Sequence, residues 1–126
     1  MTDTATTLVT LHATRVLRCA PDGPALDGER AALDLIGDAM GHDAELVAVP
    51  AERVGDEFFR LRSGVAGEVV QKFVNYRQRL AVVGDISRHL AESSALRDFV
   101  YEANQGRQLW FVADDGELAD RLRPTG

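Results

Sequence analysis

A single cysteine, Cys19, stands in 126 residues, so no internal disulfide can form and a reducing cytoplasm is the simplest home. It reads as a quiet, partly buried thiol at the end of a strand. Basic residues are in deficit, 14 against 20 acidic, for a net charge of −6. Nucleic acids and anionic membranes call for a basic face, so neither is expected as the main partner. No apolar run approaches the roughly 20 residues that cross a bilayer. The opening Met1-Thr2-Asp3-Thr4 lacks the charged and apolar regions of a secretory signal, so a soluble cytoplasmic protein is expected. His12, His42 and His89 are scattered, with no HxH, HExxH or Cys/His spacing, and no metal is expected. Gly64 and Gly67 are not followed by Gly-Lys-Ser/Thr, which argues against a phosphate-binding loop for ATP hydrolysis. No cofactor is implied.

What is present is ordinary for a soluble domain: 45% hydrophobic and 27% charged residues. The length suits one domain over residues 1–126, able to bury a core without staples, with 1–6 polar and frayed. Leu8, Val9 and Leu11, then Val16, Leu17 and Cys19, read as two short strands turning near His12-Ala13-Thr14, one continuous strand being the alternative. Pro21-Asp22-Gly23-Pro24 is a turn. Ala31, Ala32, Leu35, Ile36 and Ala39 recur at helical spacing from Gly28 to Met40, with Asp27 as N-cap and Gly41 as stop.

Leu46 to Val49 is a strand ended by Pro50, followed by a charged loop to Leu61. The next helix, running to about Arg79, puts Glu68, Gln71, Lys72, Asn75, Gln78 and Arg79 on one face and Val65, Val69, Val70, Phe73 and Val74 on the other. Leu80 to Gly84 reads as a buried strand. Ser93 or Ser94 caps a helix stopped at Gly106, Leu109 to Val112 is the last strand, and Asp115 to Leu122 is a closing helix. Strands alternating with helices predict a single α/β domain with a small mixed or mostly parallel sheet, flanked by about four helices.

From Leu33 to Leu122 the chain resembles a bacterial family known as domain of unknown function 4180. The resemblance is carried by Ala32-Leu33-Asp34-Leu35-Ile36-Gly37 and by the run Phe58-Phe59-Arg60-Leu61-Arg62-Ser63-Gly64-Val65-Ala66-Gly67-Glu68. It continues through Gln71-Lys72-Phe73-Val74-Asn75-Tyr76-Arg77, Gly84-Asp85-Ile86-Ser87, Leu96-Arg97-Asp98-Phe99 and Trp110-Phe111-Val112-Ala113-Asp114. It implies no activity. More distantly the layout is similar to the STAS domains of anti-sigma-factor antagonists, in which a strand leads to a Ser-Gly pair opening a helix. In the regulatory members the serine accepts a phosphate from a partner kinase. Ser63-Gly64 occupies the matching place here, with Arg62 where those domains carry an acidic residue. The resemblance implies a STAS-like fold and a kinase-like or regulator partner.

Ser63 has a structural reading as helix N-cap, worth roughly 1 kcal/mol. Its functional reading is a phosphoacceptor or anion-site floor, with Arg60 and Arg62 on the approach. Gly64 and Gly67 suggest close backbone approach, or tight packing of helix on sheet. Asp85 follows a central strand, where ligands collect in parallel sheets. It can bind a cation, hydroxyl or arginine, or form an Asx turn with Ser87. Ser63 and Asp85 follow neighbouring strands and are expected at one edge of the sheet. Glu68 and Lys72 are spaced for an ion pair. Phe58, Phe59 and Tyr76 are docking anchors if exposed, and Trp110 reads as core. A Ser63–His89–Asp85 triad can be drawn, but no Gly-x-Ser-x-Gly elbow supports it.

The reading that follows is a non-enzymatic regulatory module. It docks a protein partner through the Ser63 helix and the Phe58 to Arg62 loop and is switched by phosphorylation at Ser63. The alternative is a small anionic-ligand protein or enzyme with its site at Arg60, Arg62, Ser63, Gly64, Asp85 and Ser87. A third reading is a homodimer through the central helix face or an edge strand.

Overall fold

The structure, a computed structural model, describes residues 6–124; the fraying expected at the N-terminus falls on residues 1–5, outside the described residues, except for Thr6. A five-stranded sheet has its strands in chain order: β1 (Thr7–Leu11), β2 (Thr14–Arg18), β3 (Leu46–Pro50), β4 (Arg79–Val83) and β5 (Leu109–Val112). β1 and β2 form an antiparallel hairpin, and β2 to β5 are parallel. The two-residue turn at His12 and Ala13 has φ of 49° and 75°, the doubly left-handed geometry that matches the twist of paired strands. The mixed, mostly parallel α/β sheet expected from the alternating pattern is what forms.

Chain-order topology decides where the helices go. Each parallel connection steps one strand in the same direction, and right-handed crossovers then lay every crossover helix on the same face. α1 (Glu29–Gly41), α4 (Val65–Asn75) and α6 (Ser94–Gln105) accordingly share one core with Leu17, Val47, Val49, Leu80, Val82, Leu109 and Phe111. The opposite face carries Val16, Leu46, Ala48, Ala81, Trp110 and Val112 beneath α7 (Asp115–Leu122), which contributes Leu118 and Leu122. Trp110 is buried there, as expected. Its indole N–H donates to the Gly106 carbonyl at 2.8 Å, and the Arg79 and Arg121 guanidinium groups lie 4.6 and 4.7 Å from its ring centre.

Three short helices were not legible as such: α2 (Ala51–Val54), α3 (Asp56–Phe59) and α5 (Ser87–Glu92). Seven helices, rather than about four, therefore surround the sheet among the described residues. The caps also differ. α1 starts after Gly28 with no side-chain cap, so Asp27 does not cap it, and Gly41 is its last residue rather than its stop. α4 ends at Asn75, four residues short of Arg79, because Arg77 takes a left-handed φ of 58° and the Gln78 N–H returns to the Phe73 carbonyl at 2.8 Å. Ser93 caps α6 through the Leu96 N–H at 3.0 Å. Asp114 caps α7 through the Glu117 N–H at 2.8 Å.

The two sheet edges are treated differently. On β5, the Asn104 amide accepts from the Phe111 N–H at 2.8 Å and donates to the Phe111 carbonyl at 3.3 Å. Glu117 accepts from the Ala113 N–H just beyond at 2.7 Å. One side-chain amide thus imitates the next strand. β1 lies at the other edge, with β2 as its one strand partner among the described residues.

Cys19 is buried just past β2, and burial pushes its thiol up to about 11, against the pull of Arg53 and with a smaller push from Asp38. A disulfide reagent at pH 8 should therefore modify folded protein about 100-fold more slowly than unfolded protein, a two-unit shift in the thiolate equilibrium. Equal rates would place the thiol at the surface. Replacing Asn104 with Ala should destabilise the fold by about 1–3 kcal/mol, by stranding both Phe111 backbone groups. Urea unfolding measures it.

Candidate functional site

β3 and β4 are adjacent and parallel, so the segments leaving their carboxyl ends run side by side. Gly84, with φ 140°, marks the closest approach: a Cβ there would stand 3.0 Å from the Ala51 Cβ at the start of α2. The segment after β3 is held down by apolar residues, not by its charges. Val54 and Phe58 are fully buried and Phe59 nearly so. Phe58 and Phe59 meet edge to face at 5.5 Å between ring centres, and both rings lie 6.4 Å from Phe111. Neither phenylalanine is a docking anchor. Val54 closes one single-turn helix and Phe58 and Phe59 close the next, across the break at Gly55, so no helical period marks them among the charges of Glu52, Arg53, Asp56 and Glu57.

The same packing fixes the polar rim. The His89 ring stacks on Phe59, 4.1 Å between centres and 15° between planes. Its Nε2 lies 3.8 Å from Asp56 Oδ1, and Arg88 Nη2 is 3.3 Å from both atoms. The Arg88 guanidinium, which only donates, thus sits between the Asp56 carboxylate and the His89 ring. Asp56, Arg88 and His89 thereby form a ridge between two hollows. The larger, about 510 Å³, is walled by Arg60, Leu61, Arg62, Glu92 and Ser93 as well as the ridge. The smaller, about 350 Å³, is bordered by Glu52, Gly55 and Asp85. Arg60 pairs with Glu57 at 2.5 Å and Arg88 with Asp56 at 3.3 Å, while Arg62 makes no ion pair among the described residues.

Of the residues singled out from sequence, Arg60 and Arg62 line the larger hollow and Asp85 the smaller, whereas Ser63, Gly64 and Ser87 line neither. Ser63 is not the N-cap of α4. It closes a 3-10 turn (Leu61–Ser63), donating to the Glu57 carbonyl at 2.7 Å and accepting from the Val65 N–H at 3.2 Å. Gly64 holds the cap position in the left-handed region at φ 82°, which an N-cap serine could not relieve. Close backbone approach explains neither glycine: a Cβ on Gly64 or Gly67 meets nothing within 4 Å. Asp85 forms the Asx turn, accepting from the Ser87 N–H at 2.9 Å, and hydrogen bonds from Ser87 hold its carboxyl below the usual range.

The drawn triad does not assemble, since Ser63 is spent on Glu57 and His89 faces Asp56 rather than Asp85. Lys72 pairs with Glu29 of α1 at 2.6 Å instead of with Glu68, because α1 packs beside α4 and brings a carboxylate closer than the helix's own. Tyr76 is exposed at the far end of α4, roughly 16 Å along the helix from Val65, so it shares no surface with the cleft. The residues sequence reasoning missed are Asp56 and Arg88, with His89 in a different role. The available signal was Arg88-His89 two residues beyond Gly84-Asp85, past the carboxyl end of a central strand. No group of three or more His, Cys, Asp or Glu side chains gathers as a metal site among the described residues. Nor is any described helix long and apolar enough to cross a membrane.

The family model for a domain of unknown function, DUF4180, matches residues 11–122, nearly the whole described fold. The chain belongs to the DUF4180 family. That match takes in β2 to β5, the ridge and both hollows, so the cleft lies within the family domain. No curated protein and no solved structure matches the chain.

The two glycines make opposite predictions. Gly64→Ala must adopt a left-handed backbone and should cost about 1–2 kcal/mol. Gly67→Ala, in open space within α4, should stabilise by about 0.5–1 kcal/mol. Thermal unfolding of the two variants checks both signs; the same sign in both would contradict the geometry.

Proposed function

We propose that this DUF4180 domain is a non-enzymatic regulatory module that binds a small anionic ligand, a phosphate or carboxylate ester, in the larger hollow. The observation that carries this reading is the convergence of Arg60, Arg62 and Arg88 on one cleft, against the carboxylates of Asp56 and Glu92, with Arg62 free of an ion pair among the described residues. Guanidinium groups bind such oxyanions through paired N–H donors, and the hollow's volume falls in the range of small-molecule sites. Burial of Phe58 and Phe59 weakens the reading as a primary protein-docking surface. Ser93, the one hydroxyl lining the hollow, accepts from the Leu96 N–H as the α6 cap and makes no hydrogen bond to a base among the described residues, which favours binding over catalysis.

Phosphorylation at Ser63 is a second reading, favoured by one observation. The exposed hydroxyl donates to the Glu57 carbonyl, within the segment that carries Arg60 and Arg62. A phosphate there loses that donor and adds about −1.5 to −2 charge beside both arginines. It would displace the anion and present a changed surface to a protein partner, in a cytoplasm that suits the lone Cys19.

The test is calorimetric titration of wild-type protein with inorganic phosphate, pyrophosphate and a nucleoside monophosphate. At least one should bind, and Arg62→Ala should weaken it about tenfold or more while leaving the melting temperature unchanged. Ser63→Glu should weaken binding and Ser63→Ala should not. No heat with any of the three at millimolar concentration would sink the proposal.

A further inference from the structure

The open edge of the sheet has an orientation that can be worked out. The Glu45 N–H donates to the Arg15 carbonyl and the Cys19 N–H to the Ala48 carbonyl, so odd-numbered residues of β2 turn their backbone groups toward β3. Its even-numbered residues therefore bond β1, and in the observed register their partners are Thr7, Val9 and Leu11. Leu8 and Thr10 are left with N–H and C=O groups pointing outward. None of the devices that blunt an edge is present in Thr-Leu-Val-Thr-Leu: it has no charge, no proline and no bulge, and Leu8 is 39% exposed.

We propose that this edge is a dimer interface and that its occupant is a second copy of the same strand. Antiparallel pairing about a two-fold axis at Val9 sets Leu8 opposite Thr10 of the second copy, and Thr10 opposite Leu8. The four outward backbone groups are then matched by four from the copy. The axis lays Val9 against its own twin on the α7 face, beside Leu11, and both side chains already pack toward that apolar cluster. A protein of net charge −6 repels its own copies over most of its surface, but no like charges meet along this strand. Pairing of β1 with its own copy about a two-fold axis closes at two, and Asn104 on the Phe111 backbone hinders β5 from extending it into a fibre.

Sedimentation equilibrium of the full chain at micromolar concentration should give twice the monomer mass. Thr10→Pro removes an outward donor without touching a bond to β2, and it should give a monomer with the wild-type circular dichroism spectrum. Val9→Cys should cross-link to a covalent dimer under mild oxidation, since paired residues at the axis fall within disulfide reach. Leu8→Cys and Thr10→Cys, each facing a different residue across the axis, should cross-link poorly. A monomeric wild type, or a folded Thr10→Pro that remains dimeric, overturns the proposal. Should Thr10→Pro not fold, equal cross-linking at all three cysteine positions overturns it as well. The cleft lies at the carboxyl ends of β3 and β4, so phosphate binding is independent of these outcomes.

Discussion

The burial of Phe58 and Phe59 is the constraint on which the site depends. A segment with charges at Glu52, Arg53, Asp56, Glu57 and Arg60 would ordinarily run through solvent. Two aromatic side chains driven into the core beside Phe111 make it instead a pair of single-turn helices pressed onto the sheet. Each such ring removes a large apolar area from water. With the phenylalanines inward, the chain direction leaves Arg60 and Arg62 at the rim. The stack of His89 on Phe59 then fixes α5, and with it Arg88, against the same wall. Cleft and core are consequently one packing problem, and a change at Phe59 alters both.

Legibility followed the strength of the local signal. β3, β4 and β5 were readable because their apolar runs are short, β-branched or aromatic, and flanked by Pro50, Gly84 and Gly106. α6 was readable from its serine cap and its stop at Gly106. The segment 51–63 was not, because apolar residues a helical turn apart are diluted by charge over single-turn helices too short to show a period. Ser63 was misplaced for a related reason. A serine before glycine resembles an N-cap, but Gly64 in the left-handed region takes the cap position and moves the serine into the preceding turn. Arg60, Arg62 and Asp85 were placed at the right end of the sheet because they follow strand ends. That Asp56, Arg88 and His89 join them depends on tertiary packing, which no spacing encodes.

Electrostatics in the cleft are divided by the ridge. Arg60 and Arg62, opposed by Glu92, belong to one hollow, Glu52 and Asp85 border the other, and Asp56, Arg88 and His89 line both. Asp56 serves both sides by pairing with Arg88, and this restrains the side chain that separates them. Asp85 lines the smaller hollow while one of its carboxylate oxygens holds the Ser87 turn. The family match covers both hollows, so both lie within the family domain.

Strand order that equals chain order has a consequence for synthesis. A chain leaving the ribosome can add each new strand to the edge just completed, with no insertion between strands already paired and only modest loop closures to make. At every stage the newest strand is the growing edge, exposed to other nascent chains. Asn104 ends that exposure. It is made seven residues before Phe111, so the last strand can be sealed by a residue that has already emerged.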